Sequence, residues 1–85
     1  MTWKVEITGP AQKDLRKLPA AGQARVEAAL ATMRENPFAG DIGRLKAQPT
    51  VWRRRVGDYR IFYDVYPDEH MAVVVAIKRR TSTTY

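Results

Sequence analysis

The sequence contains no cysteine and a single histidine, His70. Without cysteine the chain has no disulfide, no thiolate nucleophile and no thiolate ligand for a metal. One histidine does not support a histidine-based metal site or catalytic triad, so we expect neither a metal nor any other cofactor. His70 lies in the segment YPDEHM, which predicts an exposed turn between the last two strands.

Long apolar runs are absent as well. No segment approaches the roughly twenty apolar residues that a membrane-spanning helix needs. The N-terminal segment MTWKVEITG alternates between apolar and polar residues and lacks the apolar core of a signal peptide. We therefore expect no contact with a membrane and a soluble cytoplasmic protein. A length of 85 residues predicts a single domain over residues 1–85.

Basic residues are abundant. The formal net charge is +6, and nine of the 15 lysines and arginines fall in residues 41–85. Such a charge predicts an acidic partner. On charge alone, a uniformly solvated basic surface is the alternative interpretation.

Apolar residues recur with the spacing of helices and strands. The last strand, MAVVVAIK, is apolar on both faces, which predicts a central strand covered on both sides. The predicted elements are a strand over 3–7, helices from Gly9-Pro10 to Pro19 and from Ala20–Gly22 to Asn36-Pro37, a loop over 37–50 with a short strand at Arg44–Ala47, and strands at Trp52–Val56, Tyr59–Tyr66 and Met71–Lys78. This order, β-α-α-β-β-β, predicts an α+β fold with a helical hairpin packed on a small, mostly antiparallel sheet.

The segment WRRRVGDYRIFYDVY carries the clearest functional signal. It predicts a β-hairpin in which Arg53 and Arg55 share one face of the first strand, because side chains alternate across a strand. On the second strand Arg60 shares a face with the aromatic residue Phe62. Guanidinium groups beside aromatic rings suit a polyanion with bases that stack. Single-stranded RNA is therefore the first candidate ligand.

Four segments of the chain carry a resemblance when they are taken together. They are the first helix PAQKDLRKLP, the helix end and loop ENPFAGDIGRLK, the hairpin VWRRRVGDYRIFYDV and the strand end IKRRTSTTY. In this order they resemble the RelE/ParE superfamily of bacterial toxins from type II toxin–antitoxin systems, and GDYRIFYDV is the most specific piece. The resemblance covers nearly the whole chain and implies a RelE-like fold.

The resemblance also implies the positions of a nuclease site. Arg60, after Gly57-Asp58-Tyr59, and Arg79, at the end of the final strand, match arginines that contact the scissile phosphate in RelE-like toxins. Lys46, in the loop before the hairpin, matches a basic position of the same site, and Tyr85 matches a functional tyrosine near the C-terminus. These four are the predicted catalytic residues. The residues expected to bind RNA around them are Arg44, Arg53, Arg55, Lys78 and Arg80.

The general base is left open by the sequence. Arg53 and Arg55 fall where RelE-like toxins carry strand lysines, and an arginine cannot readily replace a basic lysine because its guanidinium stays protonated. Lys46 is one candidate, since neighbouring arginines would lower its pKa. Tyr85 is another, although it can instead stack on a base. Gly43 occupies the loop position where YoeB-like relatives carry an acid.

A structural role is the alternative for several of these residues. Arg60 can pair with Asp58 or Asp64, and Arg79-Arg80 can form a charged strand end. Arg54, on the opposite face from its two neighbours, is expected to lie over a helix or to reach solvent. Packing in the core or at an interface is expected for Trp3, Trp52 and Phe62.

The resemblance to RelE-like members implies a metal-independent endoribonuclease, an mRNA interferase that cuts mRNA in the ribosomal A site and so inhibits translation. It also implies a cognate antitoxin, acidic and RelB-like. The alternative is a ParE-like toxin that inhibits DNA gyrase without nuclease activity. A non-toxic nucleic-acid-binding module is a third interpretation.

Overall fold

The computed structural model describes residues 2–45 and 51–79. Its elements are β1 (Lys4–Ile7), α1 (Gly9–Arg16), α2 (Ala20–Glu35), β2 (Asp41–Arg44), β3 (Val51–Val56), β4 (Tyr59–Tyr66), a short 3-10 helix (Pro67–Glu69) and β5 (Met71–Arg79). The predicted α+β class is confirmed, with two helices packed on one mostly antiparallel sheet. No helix in the described residues is long and apolar enough to cross a membrane.

The five strands form a sheet in the order β1-β5-β4-β3-β2. β1 pairs with β5 in parallel, and all other neighbours are antiparallel. The β3–β4 connection is a two-residue turn in which Gly57 has a φ of 57°, a conformation that glycine adopts without strain. β5 therefore lies inside the sheet, between β1 and the β3–β4 hairpin.

The edge strand β2 differs from the sequence prediction. It spans Asp41–Arg44, whereas a short strand was predicted at Arg44–Ala47, and Gly43 lies in this strand rather than in a loop. Its register places Gly43 opposite Arg53. The segment DIGR has no alternating apolar pattern, so its pairing with β3 and not its composition makes it a strand.

The two helices begin at different signals. The Thr8 hydroxyl accepts a hydrogen bond from the Ala11 N–H at 3.3 Å and caps α1, which has Pro10 in its first turn. Pro19 directly precedes α2, as expected from the sequence. Gly22 of α2 lies against the phenol ring of Tyr59, where any larger residue would collide with the ring. Close approach between α2 and β4 therefore depends on this glycine.

Both helices pack on the same face of the sheet. Their buried side chains join the buried side chains of β4 and β5 in one cluster, and this cluster is the core of the described residues. Its members are Ala11, Val26, Ala29, Leu30, Met33, Tyr59, Ile61, Tyr63, Ala72, Val74 and Ile77. Trp52 packs against this cluster, as expected.

β5 is central, as predicted, but within residues 2–45 and 51–79 the helices cover only one of its faces. Val74 and Ile77 are buried beneath the helices, whereas Val73 and Ala76 on the other face are half-buried. A register shift opposite Phe62 and Tyr63 leaves Val75 as an extra residue. This bulge changes the spacing of helix-facing residues from two to three. The sequence suggested cover on both sides because Val73 and Ala76 on the other face are apolar as well.

His70 is not the exposed turn residue that the sequence suggested. It is half-buried, and its ring stacks on Trp3 with centroids 4.1 Å apart. Its φ of 54° ends the short 3-10 helix, and its carbonyl accepts a hydrogen bond from the Lys4 N–H at 2.9 Å. The turn is therefore fixed to the start of β1, which brings the His70 ring onto Trp3.

Candidate nucleic-acid interface

The face of the sheet turned away from the helices, called the open face below, carries a row of cations. Arg55 of β3 lies directly opposite Arg60 of β4, and Arg60 lies directly opposite Lys78 of β5. Residues paired in this way share a face, with Cβ atoms about 4.5–5.5 Å apart. Like charges at that spacing oppose folding, so the row is suited to binding an anion that neutralises it.

Arg53 extends this cationic surface toward β2. It lies opposite Phe62 on one side and opposite Gly43 on the other. The Arg53 Nη2 atom is 3.5 Å from the position that a Cβ on Gly43 would occupy, which is an ordinary van der Waals distance. The guanidinium therefore lies across the edge strand at Gly43. The Arg53 Nε atom is buried and has no hydrogen-bond partner among the described residues.

Among residues 2–45 and 51–79, carboxylates approach only the two ends of the row. Arg55 Nε is 3.6 Å from Asp41 Oδ2, and Lys78 Nζ is 3.6 Å from Asp14 Oδ2. Arg60 forms no salt bridge with any residue that the structure describes, including Asp58 and Asp64, which the sequence offered as partners. The centre of the row therefore keeps its charge available for a ligand.

Two predicted site residues lie elsewhere. Arg44 is opposite Trp52, and its Cζ atom is 4.7 Å from the Trp52 ring centroid, on the side of the sheet that bears the helices. Arg79 is opposite Tyr59, whose ring is buried on that same side. The register thus places Lys78, and not Arg79, beside Arg60.

Three further predicted residues, Lys46, Arg80 and Tyr85, lie outside the described residues. Of the nine residues predicted for catalysis or RNA binding, the structure brings four together on the open face. They are Arg53, Arg55, Arg60 and Lys78.

Arg54 shows the opposite orientation within the same strand. Its Nη1 atom donates hydrogen bonds to the Ala29 carbonyl at 3.1 Å and to Thr32 Oγ1 at 2.6 Å, both on α2. The expectation that Arg54 lies over a helix is confirmed. Its charge joins the sheet to the helix layer and does not contribute to the open face.

Phe62 lies on the same face as Arg60, as the sequence predicted. Packing in the core or at an interface was expected for it, and it belongs neither to the buried core nor to the residues packed against it. It lies half-buried on the open face, between Arg53 and Ala76. The signal was present in the sequence, because Phe62 follows Arg60 by two residues in a strand.

Tyr63, the next residue, faces the helices and is fully buried. Its hydroxyl donates a hydrogen bond to the Pro37 carbonyl at 2.6 Å. Burial raises the pKa of Tyr63 above the usual tyrosine range, while the positive charge of Arg54 partly opposes this rise. Tyr63 is therefore a neutral hydrogen-bond donor that links β4 to the start of the α2–β2 connection.

The open face is equipped to bind and stabilise an anion. Arg53, Arg55 and Arg60 stay protonated in proteins, so they can neutralise a phosphate but cannot accept a proton. A planar ring among guanidiniums adds a surface on which a nucleobase can stack. The combination of charge and ring is chemically suited to a single-stranded nucleic acid.

The sequence of this chain is similar to those of known toxins. The sequence profile described as "ParE toxin of type II toxin-antitoxin system, parDE" matches residues 5–83. A Methanocaldococcus jannaschii protein with the name "Putative toxin RelE1" is 34% identical over 83 residues, which cover 94% of this chain and 92% of that protein.

Two solved structures match over nearly their full length. A chain of the archaeal RelE–RelB complex from Pyrococcus horikoshii OT3 has a TM-score of 0.83 and 26% identity, with 98% of this chain and 100% of that chain covered. A chain of the toxin–antitoxin complex RelBE2 from Mycobacterium tuberculosis also has a TM-score of 0.83 and 26% identity, with coverage of 94% and 100%. Together with the profile match, these similarities show that the chain belongs to the RelE/ParE superfamily of toxins from type II toxin–antitoxin systems.

Proposed function

We propose that this toxin is a metal-independent endoribonuclease that cuts mRNA in the A site of the translating ribosome, in the cytoplasm. The observation that carries the proposal is the row Arg55–Arg60–Lys78 on the sheet face that neither described helix covers, with Arg53 and Phe62 beside it. The centre of this row, Arg60, is the residue that corresponds to a phosphate-contacting arginine of RelE-like toxins.

The reaction needs no metal if cations stabilise the phosphate. The 2′-hydroxyl of the RNA loses its proton and forms a bond to the adjacent phosphorus, and the bond from phosphorus to the 5′-oxygen breaks as that oxygen takes up a proton. Negative charge grows on the phosphoryl oxygens during this step. Arg60 is in position to stabilise that charge, and the loss of one such donor typically costs about 10²–10³ in rate.

The proton transfers are assigned to residues outside the described part of the chain. We propose Lys46 or Tyr85 as the general base, because the arginines of the open face cannot accept a proton. A site with strong charge stabilisation but a weak base gains from a host that orients the RNA. Positioning of reactants can supply roughly 7–11 kcal/mol, which accounts for dependence on the ribosome.

Phe62 and Arg53 would hold the nucleotides next to the scissile phosphate. The Phe62 ring offers a stacking surface, and base–aromatic stacking is worth about 1–3 kcal/mol per base. Arg53 lies directly opposite this ring on the neighbouring strand. A base stacked on Phe62 would therefore have its phosphate within reach of a guanidinium.

The partner that we propose is an acidic, RelB-like antitoxin. The Pyrococcus horikoshii and Mycobacterium tuberculosis structures are toxin–antitoxin complexes. The net charge of +6 favours an acidic segment, and its binding over the open face would exclude RNA. Such binding is expected to weaken as the salt concentration rises.

One observation favours a second candidate function. The matching profile is that of ParE toxins, whose members inhibit DNA gyrase without cutting nucleic acid. A gyrase inhibitor has no chemical need for an arginine at the centre of a cationic row, where no carboxylate of the described residues pairs with it. The role of Arg60 therefore separates the two functions.

The test is primer-extension mapping of cuts on a translating mRNA, with and without ribosomes. Wild-type protein should cut only in the presence of ribosomes, and Arg60→Ala should lower the rate about 10²–10³-fold. The matched control is Arg16→Ala, which removes an exposed arginine from α1 and should cut at the wild-type rate. Undiminished cutting by a folded Arg60→Ala variant would contradict the assigned role. Absence of cutting by wild-type protein, with inhibition of gyrase supercoiling, would establish the second function.

A further inference from the structure

The outer edge of β5, which is the edge that faces away from β4, is paired with β1 over only the first half of the strand. β1 pairs with β5 only as far as Ile7, which lies opposite Val74. At that point the Thr8 N–H donates to the Val74 carbonyl at 3.0 Å, and the chain turns into α1. Beyond Val74 no strand of the described residues lies beside the outer edge of β5, and its backbone groups need other partners.

Asp14 of α1 supplies one of these partners. Its Oδ2 atom accepts a hydrogen bond from the Ile77 N–H at 3.0 Å. The same oxygen lies 3.6 Å from Lys78 Nζ, and the Asp14 side chain is only 18% exposed. Hydrogen bonds to an ionised acceptor are about twice as strong as neutral ones, so this carboxylate is an effective substitute for a neighbouring strand.

The two groups held by Asp14 belong to consecutive residues of the cationic end of β5. Ile77 inserts into the core opposite Ile61, while Lys78 faces the open side opposite Arg60. Asp14 thus fixes the backbone directly before Lys78 and also draws the Lys78 ammonium group toward α1. The hydrogen bond keeps the Lys78 backbone next to Arg60 despite the repulsion between the two cations, while the ion pair holds the Lys78 ammonium group at the end of the row that is nearest to α1.

We infer that Asp14 is a positioning residue for the RNA-binding surface. It holds the C-terminal half of β5 against α1 and so sets where Lys78 and the end of the strand lie relative to Arg60. Asp14 does not contact the RNA, and its effect passes through the Ile77 amide. This inference rests on the proposed function, and it adds α1 to the elements that shape the site.

Two substitutions separate the hydrogen bond from the charge. Asp14→Ala removes both, whereas Asp14→Asn keeps an oxygen that accepts from the Ile77 N–H. The matched control is Glu6→Ala, which removes an exposed carboxylate of β1 that lies 3.3 Å from Lys4 Nζ. The readouts are amide hydrogen exchange at Ile77, ribosome-dependent cutting, and binding of a single-stranded RNA oligonucleotide.

Asp14→Ala should speed exchange at Ile77 and slow cutting, each about tenfold, as expected for the loss of one charge-assisted hydrogen bond. Asp14→Asn should restore both to within about threefold of wild type, and Glu6→Ala should change neither, because exposed surface pairs contribute little. Wild-type cutting by Asp14→Ala would overturn the inference. So would equal defects in the alanine and asparagine variants, since the charge alone would then be responsible.

If the proposed nuclease function is wrong, the measurements differ from those expected if only the inference about Asp14 is wrong. If the wild-type protein does not cut on ribosomes, the nuclease proposal is refuted by that result alone. Oligonucleotide binding by the same variants then tests Asp14: weaker binding by Asp14→Ala with recovery in Asp14→Asn would support positioning. Equal binding by all variants would overturn it.

Discussion

On the helix-covered face of the sheet Arg54 donates two hydrogen bonds to α2, whereas one residue to either side Arg53 and Arg55 lie on the open face. The same residue type, repeated three times in succession, therefore joins two layers of the fold in one position and forms a candidate ligand surface in the other two. Strand alternation alone produces this division. The roles of consecutive arginines in a strand should thus be assigned separately for each face of the sheet.

The adjacent aromatic residues of β4 show the same contrast. Tyr63 is fully buried and its hydroxyl has a partner in the Pro37 carbonyl. Phe62 is half-buried, outside the core, and opposite Arg53. A buried ring with a satisfied polar group holds the fold together. A partly exposed ring beside a guanidinium is available for a ligand.

Among the substitutions that test the difference between the two faces of the sheet, Arg54→Ala is expected to have the largest effect. The variant loses both hydrogen bonds to α2 and should lower the free energy of unfolding by about 2–3 kcal/mol, as expected for bonds from a charged donor. Urea denaturation measures the change. RNA cutting by the folded fraction should match that of wild type. A stable Arg54→Ala protein that no longer cuts RNA would place Arg54 in the site and break the division between faces.

The double variant Arg53→Ala/Arg55→Ala is expected to keep its stability and to lose affinity for RNA. Its free energy of unfolding should stay within about 0.5 kcal/mol of wild type, because the Arg55–Asp41 pair is exposed. Affinity for single-stranded RNA should fall about tenfold at low salt. Two lost phosphate contacts should also reduce the slope of log affinity against log salt by about 1.4. Fluorescence anisotropy at several salt concentrations measures both quantities, and an unchanged slope would contradict the assignment.

The smallest effect is expected from Tyr63→Phe, which should lower the free energy of unfolding by about 1 kcal/mol at neutral pH. Because burial raises the pKa of Tyr63, the fold favours the neutral hydroxyl. This stabilisation is fully present below the ordinary tyrosine pKa of about 10 and is lost as the pH rises through the pKa in the folded protein.

At strongly alkaline pH the wild type should therefore no longer have a higher free energy of unfolding than Tyr63→Phe. Urea unfolding of both proteins between about pH 8 and pH 11 provides the measurement. A difference in stability that stays constant across this range would show that the Tyr63 hydroxyl has the same pKa in the folded and unfolded chains. Tyr66, which is exposed on the open face, provides the control variant Tyr66→Phe.

Much of the fold follows from local signals in the sequence. The strand over Tyr59–Tyr66 has the predicted bounds, since a tight turn precedes it and Pro67 follows it. Pro19 separates the helices, as predicted. The placement of Arg53, Arg55 and Arg60 on one face also follows from alternation and from the pairing of two strands joined by a short turn.

The remaining features depend on contacts between distant segments. The position of Arg44 depends on how β2 pairs with β3, and DIGR has no periodicity that fixes this register. The sequence did not predict that the described helices cover only one face of β5. Val73 and Ala76 on the other face are also apolar, and the bulge at Val75 interrupts strict alternation. The role of Asp14 depends on α1 lying beside β5 where β1 ends. None of these contacts is local in sequence.

The central position of β5 has a consequence for the order of events during synthesis. Helices α1 and α2 and the β3–β4 hairpin can form from residues made early, but Met71–Arg79 leaves the ribosome after all the other strands that the structure describes. Until then β1 has no described strand to pair with, Asp14 lacks the Ile77 amide, and the cationic row lacks Lys78. A nascent chain therefore cannot complete the sheet or the cationic row until β5 has been made.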